Sequence, residues 1–89
     1  MTGNQIEFFD DIYRKYYKMM YDVALRIVKN PEIAEDVVAD TFLVLITKIN
    51  AVIEHEQPVK WLFRVLKYNA LNERRAQSAH SAVPLDEHI

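Results

Sequence analysis

The sequence contains a single glycine among its 89 residues. An all-β chain needs a tight turn roughly every ten residues, and most tight turns require glycine. A glycine-rich loop that binds phosphate would also need more than one glycine. We therefore expect a helical chain without such a loop. The length and the 51% hydrophobic content predict one small globular domain.

Three segments repeat apolar side chains every three or four residues, which is the period of a helix with one buried face. They cover about 5–29, 31–50 and 58–76. Asn30 and Pro31 form a typical helix start, so the first two segments are predicted to make a long antiparallel hairpin. The predicted fold class is all-α, a compact bundle of three main helices.

The apolar positions also predict the core. The aromatic side chains of the first helix are expected there. Residues 51–57 connect the second and third segments, and their Val52 and Ile53 are expected to pack under the hairpin. The predicted buried stripe of the second helix is Ile33, Val37, Val38, Thr41, Phe42, Leu45, Ile46 and Ile49. The predicted inner face of the third helix is Trp61, Leu62, Val65, Leu66, Asn69 and Ala70.

Residues 77–89 show no apolar period and contain small, turn-prone residues. They are predicted to be a linker or disordered tail that follows a helical domain at 1–76. No stretch approaches the roughly 20 apolar residues that span a membrane. The first residues lack the layout of a signal peptide. We therefore expect a cytoplasmic protein with no membrane insertion.

Few groups in the sequence could carry catalysis or hold a metal. There is no cysteine, and no two of the three histidines have the four-residue spacing of a zinc-binding helix. No serine has a base placed to activate it. We therefore expect no catalytic residue, no metal site and no cofactor.

Charge is divided between two segments, although the net charge is only −2. Residues 31–47 contain four acids and no base, whereas residues 58–76 contain five bases and one acid. Segments of opposite sign indicate either two different partners or a contact with each other. The small net charge predicts weak DNA binding by the chain alone.

The acids of the second helix lie beside an outward leucine. Asp36, Ala39, Asp40 and Leu43 are spaced at i, i+3, i+4 and i+7, offset from the buried stripe. Such acids most often form a solvated helix flank, and spacing alone favours that interpretation. Carboxylates beside a leucine also suit the docking of a basic helix from a partner.

The bases of the third helix form a ridge with an aromatic ring and a side-chain amide. The candidate residues are Lys60, Arg64, Lys67, Tyr68, Asn69, Arg74 and Arg75. Such a ridge is often only solvent-facing, and cations near a helix C-terminus complement its dipole. The same combination suits nucleic acid, because cations hold phosphates and aromatic rings stack on unpaired bases.

Three stretches follow one another in the sequence: residues 12–17 with 24–27, residues 30–42 and residues 61–75. Together and in this order they resemble region 2 of bacterial sigma factors of the sigma-70 family. Residues 12–17 with 24–27 resemble its first helix. Residues 30–42 (NPEIAEDVVADTF) resemble its core-binding helix, and residues 61–75 (WLFRVLKYNALNERR) resemble its promoter-contacting helix. The short loop between the last two is similar to the extracytoplasmic-function group. The resemblance covers about 6–76.

The resemblance implies that the two charged helices bind different partners. Asp36, Ala39, Asp40 and Leu43 would bind the clamp coiled coil of core RNA polymerase. The basic helix would hold the non-template strand of the promoter −10 element as it opens, and a flipped base would enter a pocket near residues 50–57. An anti-sigma factor is implied as a further partner.

The sequence departs from the family pattern at several points. Ala39-Asp40 stands where the family has Gln-Glu, and Asn72 stands where it has Asp. Sigma factors of this group also carry a helix-turn-helix domain for the −35 element, which this sequence does not contain, so we expect either an isolated first domain or a truncated form of a longer protein. The competing hypothesis is a helical protein-interaction module that binds polymerase or an anti-sigma factor without DNA activity. A small helical enzyme is the least supported alternative.

Overall fold

A computed structural model describes the backbone of residues 1–87 and the side chains of residues 1–77. That backbone contains no strand and four helices: α1 (Gly3–Val28), α2 (Pro31–Thr47), the single-turn α3 (Ile49–Val52) and α4 (Pro58–Glu87). The helices α1, α2 and α4 each pack against the other two. The predicted all-α bundle of three main helices is confirmed.

Two adjacent caps close the hairpin between α1 and α2. Lys29 ends α1 in the left-handed region, with a φ of 58°, and its N–H donates to the Leu25 carbonyl at 2.8 Å. Asn30 then caps α2, because its side-chain oxygen accepts a hydrogen bond from the Ile33 N–H at 3.1 Å. Pro31 takes the first helical position, as predicted. This two-residue link reverses the chain direction.

Lys29→Gly is expected to raise the free energy of unfolding by about 0.5–1 kcal/mol, because glycine adopts a positive φ without the steric cost of a side chain. Urea titration measures the gain. Lys48→Gly is the control, since Lys48 caps α2 at a φ of −109° and needs no left-handed backbone. Glycine there only adds freedom to the unfolded chain. A less stable Lys29→Gly protein would contradict the prediction.

Helix α4 continues past its predicted end at about 76 and reaches Glu87. Residues 77–83 contain no glycine or proline, and an existing helix extends by one residue at little cost. This accounts for the helix as far as Val83, but not for its continuation through Pro84, which lacks the N–H of a helical hydrogen bond. A missing apolar period indicates that no face needs burial, which does not by itself end a helix. The division into a domain at 1–76 and a linker at 77–89 stays a prediction, and residues 88–89 lie outside the described backbone.

The core lies where the three long helices meet. Met20 of α1, Leu45 of α2, and Leu62 and Leu66 of α4 are fully buried. Burial of a side chain of this size contributes about 1.5–3 kcal/mol. Val52 of α3 is 3% exposed and covers one edge of this core, as predicted.

Two burial predictions are wrong. Ile46, predicted in the buried stripe of α2, is 40% exposed, and Tyr13, predicted in the core, is 43% exposed. Both line a groove between α1 and α2, where neither helix covers the flank of the other. The helical period identifies the side that faces the core, but it does not say how wide a strip the neighbouring helices cover.

Candidate protein and nucleic-acid interfaces

The acidic face of α2 consists of Asp36, Ala39, Asp40 and Leu43, and all four residues are exposed. Leu43 keeps 59% of its surface accessible. The side chains of this face leave the helix on the side away from the buried Val38 and Leu45. The structure therefore presents carboxylates and one large apolar side chain together at the surface.

The ion pairs among the described side chains all lie within α1. They join Asp10 to Arg14, Asp11 to Lys15 and Asp22 to Lys18. Asp36 and Asp40 thus have no ion-pair partner within residues 1–77, and neither do Arg64 and Lys67. The alternative that the two charged segments neutralise each other is not observed there.

The basic ridge of α4 consists of Lys60, Arg64, Lys67, Tyr68, Arg74 and Arg75, and all six residues are exposed. At 100° per residue, these side chains leave α4 opposite the buried Leu62 and Leu66, along about 22 Å of helix. Tyr68 is 66% exposed. Leu71, 44% exposed, lies on the same ridge. The sequence analysis missed Leu71, although its position four residues after Lys67 was a sufficient signal.

Asn69 lies apart from the basic ridge, between α4 and α2. It is half-buried, and its Nδ2 donates a hydrogen bond to the Thr41 Oγ1 at 3.2 Å. The Thr41 hydroxyl in turn donates to the Val37 carbonyl at 2.7 Å. Asn69 therefore satisfies a buried hydroxyl and joins the two charged helices, while its predicted contact with DNA stays a prediction.

Asn69→Ala is expected to lower the free energy of unfolding by about 1 kcal/mol relative to Asn72→Ala, because it removes the hydrogen bond to Thr41. Asn72 is exposed on the same helix, so the control changes helix propensity by the same amount without losing a helix–helix bond. Urea titration of both variants measures the difference. Equal stabilities would mean that the bond contributes nothing to the fold.

The loop before α4 forms a small pocket with the first turns of that helix. Its volume is about 70 Å³, and its lining residues are His55, Gln57, Lys60, Trp61 and Arg64. The His55 Nδ1 accepts a hydrogen bond from the Gln57 N–H at 2.9 Å, which folds the loop back on itself. Pockets for small ligands usually measure roughly 300–1,000 Å³. A nucleobase would therefore enter this pocket only if the loop moved.

A groove between α1 and α2 borders the acidic face, and we call it the α1–α2 groove. Its volume is about 620 Å³. Its lining residues are Tyr13, Tyr17, Glu35, Asp36, Ala39, Phe42, Leu43 and Ile46. Burial, followed by the neighbouring Tyr13, Glu35 and Tyr21, raises the pKa of Tyr17 above its usual 10.0.

The sequence analysis did not connect five of these groove residues with a site, including Phe42, which it predicted only as part of the core. Glu35 and Ile46 could have been found, because they share one flank of α2 with Ala39 at helical spacing. Tyr13 and Tyr17 could not, because only the packing of α1 against α2 brings them to that flank.

Within the described side chains, no three His, Asp or Glu residues gather as a metal ion would require. Every buried side-chain nitrogen or oxygen among them has a hydrogen-bond partner. No helix of the described backbone combines the length and the apolar character needed to cross a membrane.

A comparison with models of protein families gives a match. A family model described as Sigma-70 region 2 matches residues 12–80, which is most of the chain. The matched range includes the acidic face of α2, the loop and the basic ridge of α4. Comparisons with curated proteins and with solved structures gave no significant match. The extracytoplasmic-function group stays a prediction.

Proposed function

Because this chain belongs to the Sigma-70 region 2 family, we propose that it acts in transcription initiation by binding core RNA polymerase through α2 and promoter DNA through α4. The observation that carries this proposal is the separation of charge. The acidic face and the basic ridge are both exposed, and within residues 1–77 neither is neutralised by an ion pair. The proposed place of action is the cytoplasm, where the polymerase works.

On the polymerase side, the acidic face offers both charge and apolar surface. Asp36 and Asp40 attract a basic partner and set its orientation. Leu43, 59% exposed, supplies the apolar contact whose burial would exclude water from the surrounding charges. A coiled coil of the polymerase clamp with basic residues beside an apolar stripe is the partner that fits.

On the DNA side, the basic ridge holds a single strand. Arg64 and Lys67 contact phosphates, and the exposed ring of Tyr68 stacks on a base that has left the duplex. Melting needs no catalytic residue, because bases that bind only when unpaired offset the cost of unpairing. In this proposal the pocket beside His55 opens to take one flipped base.

The proposal predicts that the chain binds DNA well only together with polymerase, because its net charge of −2 opposes binding to a polyanion. The test measures fluorescence anisotropy of labelled single strands randomised over the −10 positions. Chain and core polymerase together should bind the strands more tightly than either alone. Equal binding by core polymerase with and without the chain would refute the DNA function.

One observation favours a second candidate function, a protein-interaction module without DNA activity. Glu54 and Glu56 are exposed in the loop beside the small pocket, where they would repel a phosphate strand. In this case the acidic face would bind polymerase or an anti-sigma factor, and the basic ridge would be only solvated. Polymerase binding without any gain in DNA affinity in the same assay would support this candidate.

A further inference from the structure

The α1–α2 groove has one aromatic side. The rings of Tyr13 and Tyr17 lie with centroids 5.2 Å apart on α1. Beneath them, the ring of Phe42 lies 5.0 Å from that of Tyr13 and 6.5 Å from that of Tyr17. Phe42 is only 5% exposed and belongs to the core. Because each ring packs on the other two, this side is a fixed surface rather than a set of loose side chains.

The other side of the groove is acidic and apolar. Glu35 and Asp36 are exposed and have no ion-pair partner among the described residues. Leu43 and Ile46 continue this side with exposed apolar surface. A tyrosine is neutral at neutral pH, and burial raises the pKa of Tyr17 above its usual 10.0, so Tyr17 adds no negative charge to the groove.

We infer that the α1–α2 groove receives an arginine side chain that a helix of the bound partner presents. This inference rests on the proposed function, in which that partner is core RNA polymerase. A guanidinium can lie flat on a tyrosine ring while its N–H groups donate to a carboxylate. Tyr17 and Glu35 line the same groove and offer these two contacts together.

The chemistry of the groove selects arginine over lysine. An ammonium is a compact, strongly hydrated charge that cannot stack by a flat face, whereas a guanidinium is planar and less hydrated. The volume of about 620 Å³ accommodates a whole long side chain. The apolar stem of the arginine and its helical neighbours would then cover Leu43 and Ile46.

The test uses the full 89-residue chain with arginine amide as the probe and lysine amide as the matched cation. Nuclear magnetic resonance follows the ring signals of Tyr13 and Tyr17 during each titration. Arginine amide should shift these signals saturably and bind about threefold more tightly than lysine amide. No saturable shift with arginine amide, or equal affinity for lysine amide, would overturn the inference.

Substitutions inside and outside the α1–α2 groove test whether arginine amide binds there. Glu35→Gln should weaken the binding of arginine amide about threefold, whereas Glu32→Gln, on the same helix outside the groove, should not. Tyr17→Leu should weaken it likewise, with the exposed Tyr68→Leu of α4 as its control. Glu35 is exposed, so Glu35→Gln is expected to fold. It therefore tests the binding of arginine amide even if Tyr17→Leu fails to fold. Unchanged affinity in Glu35→Gln would overturn the inference.

Two measurements together distinguish a failure of this inference from a failure of the proposed function. If arginine amide does not bind while Leu43→Ala still weakens polymerase binding, the groove inference is wrong and the proposed function stands. If arginine amide binds while Leu43→Ala leaves polymerase affinity unchanged, the guanidinium site stands and the polymerase contact is wrong.

Discussion

Leu43→Ala is expected to weaken the binding of the chain to core RNA polymerase at least about 30-fold. Leu43 is 59% exposed, so its truncation removes surface rather than core packing. In the proposed complex, Leu43 is buried against the partner beside Asp36 and Asp40, which keeps water away from those charges. Truncating a fully buried leucine to alanine costs about 2 kcal/mol or more, which corresponds to the 30-fold loss.

Met19→Ala is the matched control for this experiment. Met19 is also a large apolar side chain, 55% exposed, but it lies on α1 and does not line the groove. Titration of labelled chain with core polymerase measures both affinities, and circular dichroism verifies that both variants fold. If both variants bind like the unaltered chain, the acidic face is not the polymerase contact.

The double variant Arg64→Ala, Lys67→Ala is expected to bind DNA more weakly. In complex with polymerase, its affinity for single-stranded DNA of the −10 element should fall at least about tenfold. Both side chains are exposed on the basic ridge, where each would hold a phosphate. Each phosphate contact on a single strand contributes about 0.7 to the slope of log affinity against log salt. The slope should therefore fall by about 1.4 in the double variant.

Lys18→Ala combined with Arg26→Ala is the matched control, because it removes the same charge from α1. The lost ion pair between Lys18 and Asp22 is exposed and contributes little to stability. Anisotropy titrations at several salt concentrations measure both double variants, and polymerase binding should remain unchanged in each. If the two double variants lose DNA affinity equally, net charge rather than the ridge determines binding.

Local chemistry made much of this fold predictable. Asn30 followed by Pro31 predicted the start of α2, and the structure confirms the cap and the first helical position. The acidic face and most of the basic ridge were also predicted as outward surfaces, because the helical period separates the exposed side from the buried side. Their roles in binding stay predictions until the variants are measured.

Features that depend on how the helices pack or how far they extend could not be predicted from the sequence. Ile46 fits the apolar period of α2 as well as Leu45 does, yet Leu45 is buried and Ile46 is 40% exposed. The difference arises because α1 and α4 cover one strip of α2 and not the flank beside it. In the same way, the turn-prone composition after 76 did not predict that α4 would continue to Glu87.

By itself, the sequence determined the all-α fold, the helix starts and the sign of charge on each outward face, because these depend on residues one to four positions apart. Only the tertiary structure decided that Asn69 bonds to Thr41 and that Tyr13 and Tyr17 lie on the same groove as Glu35. Those contacts join distant parts of the chain, and they depend on how far each helix is rotated against its neighbour, which no local pattern specifies.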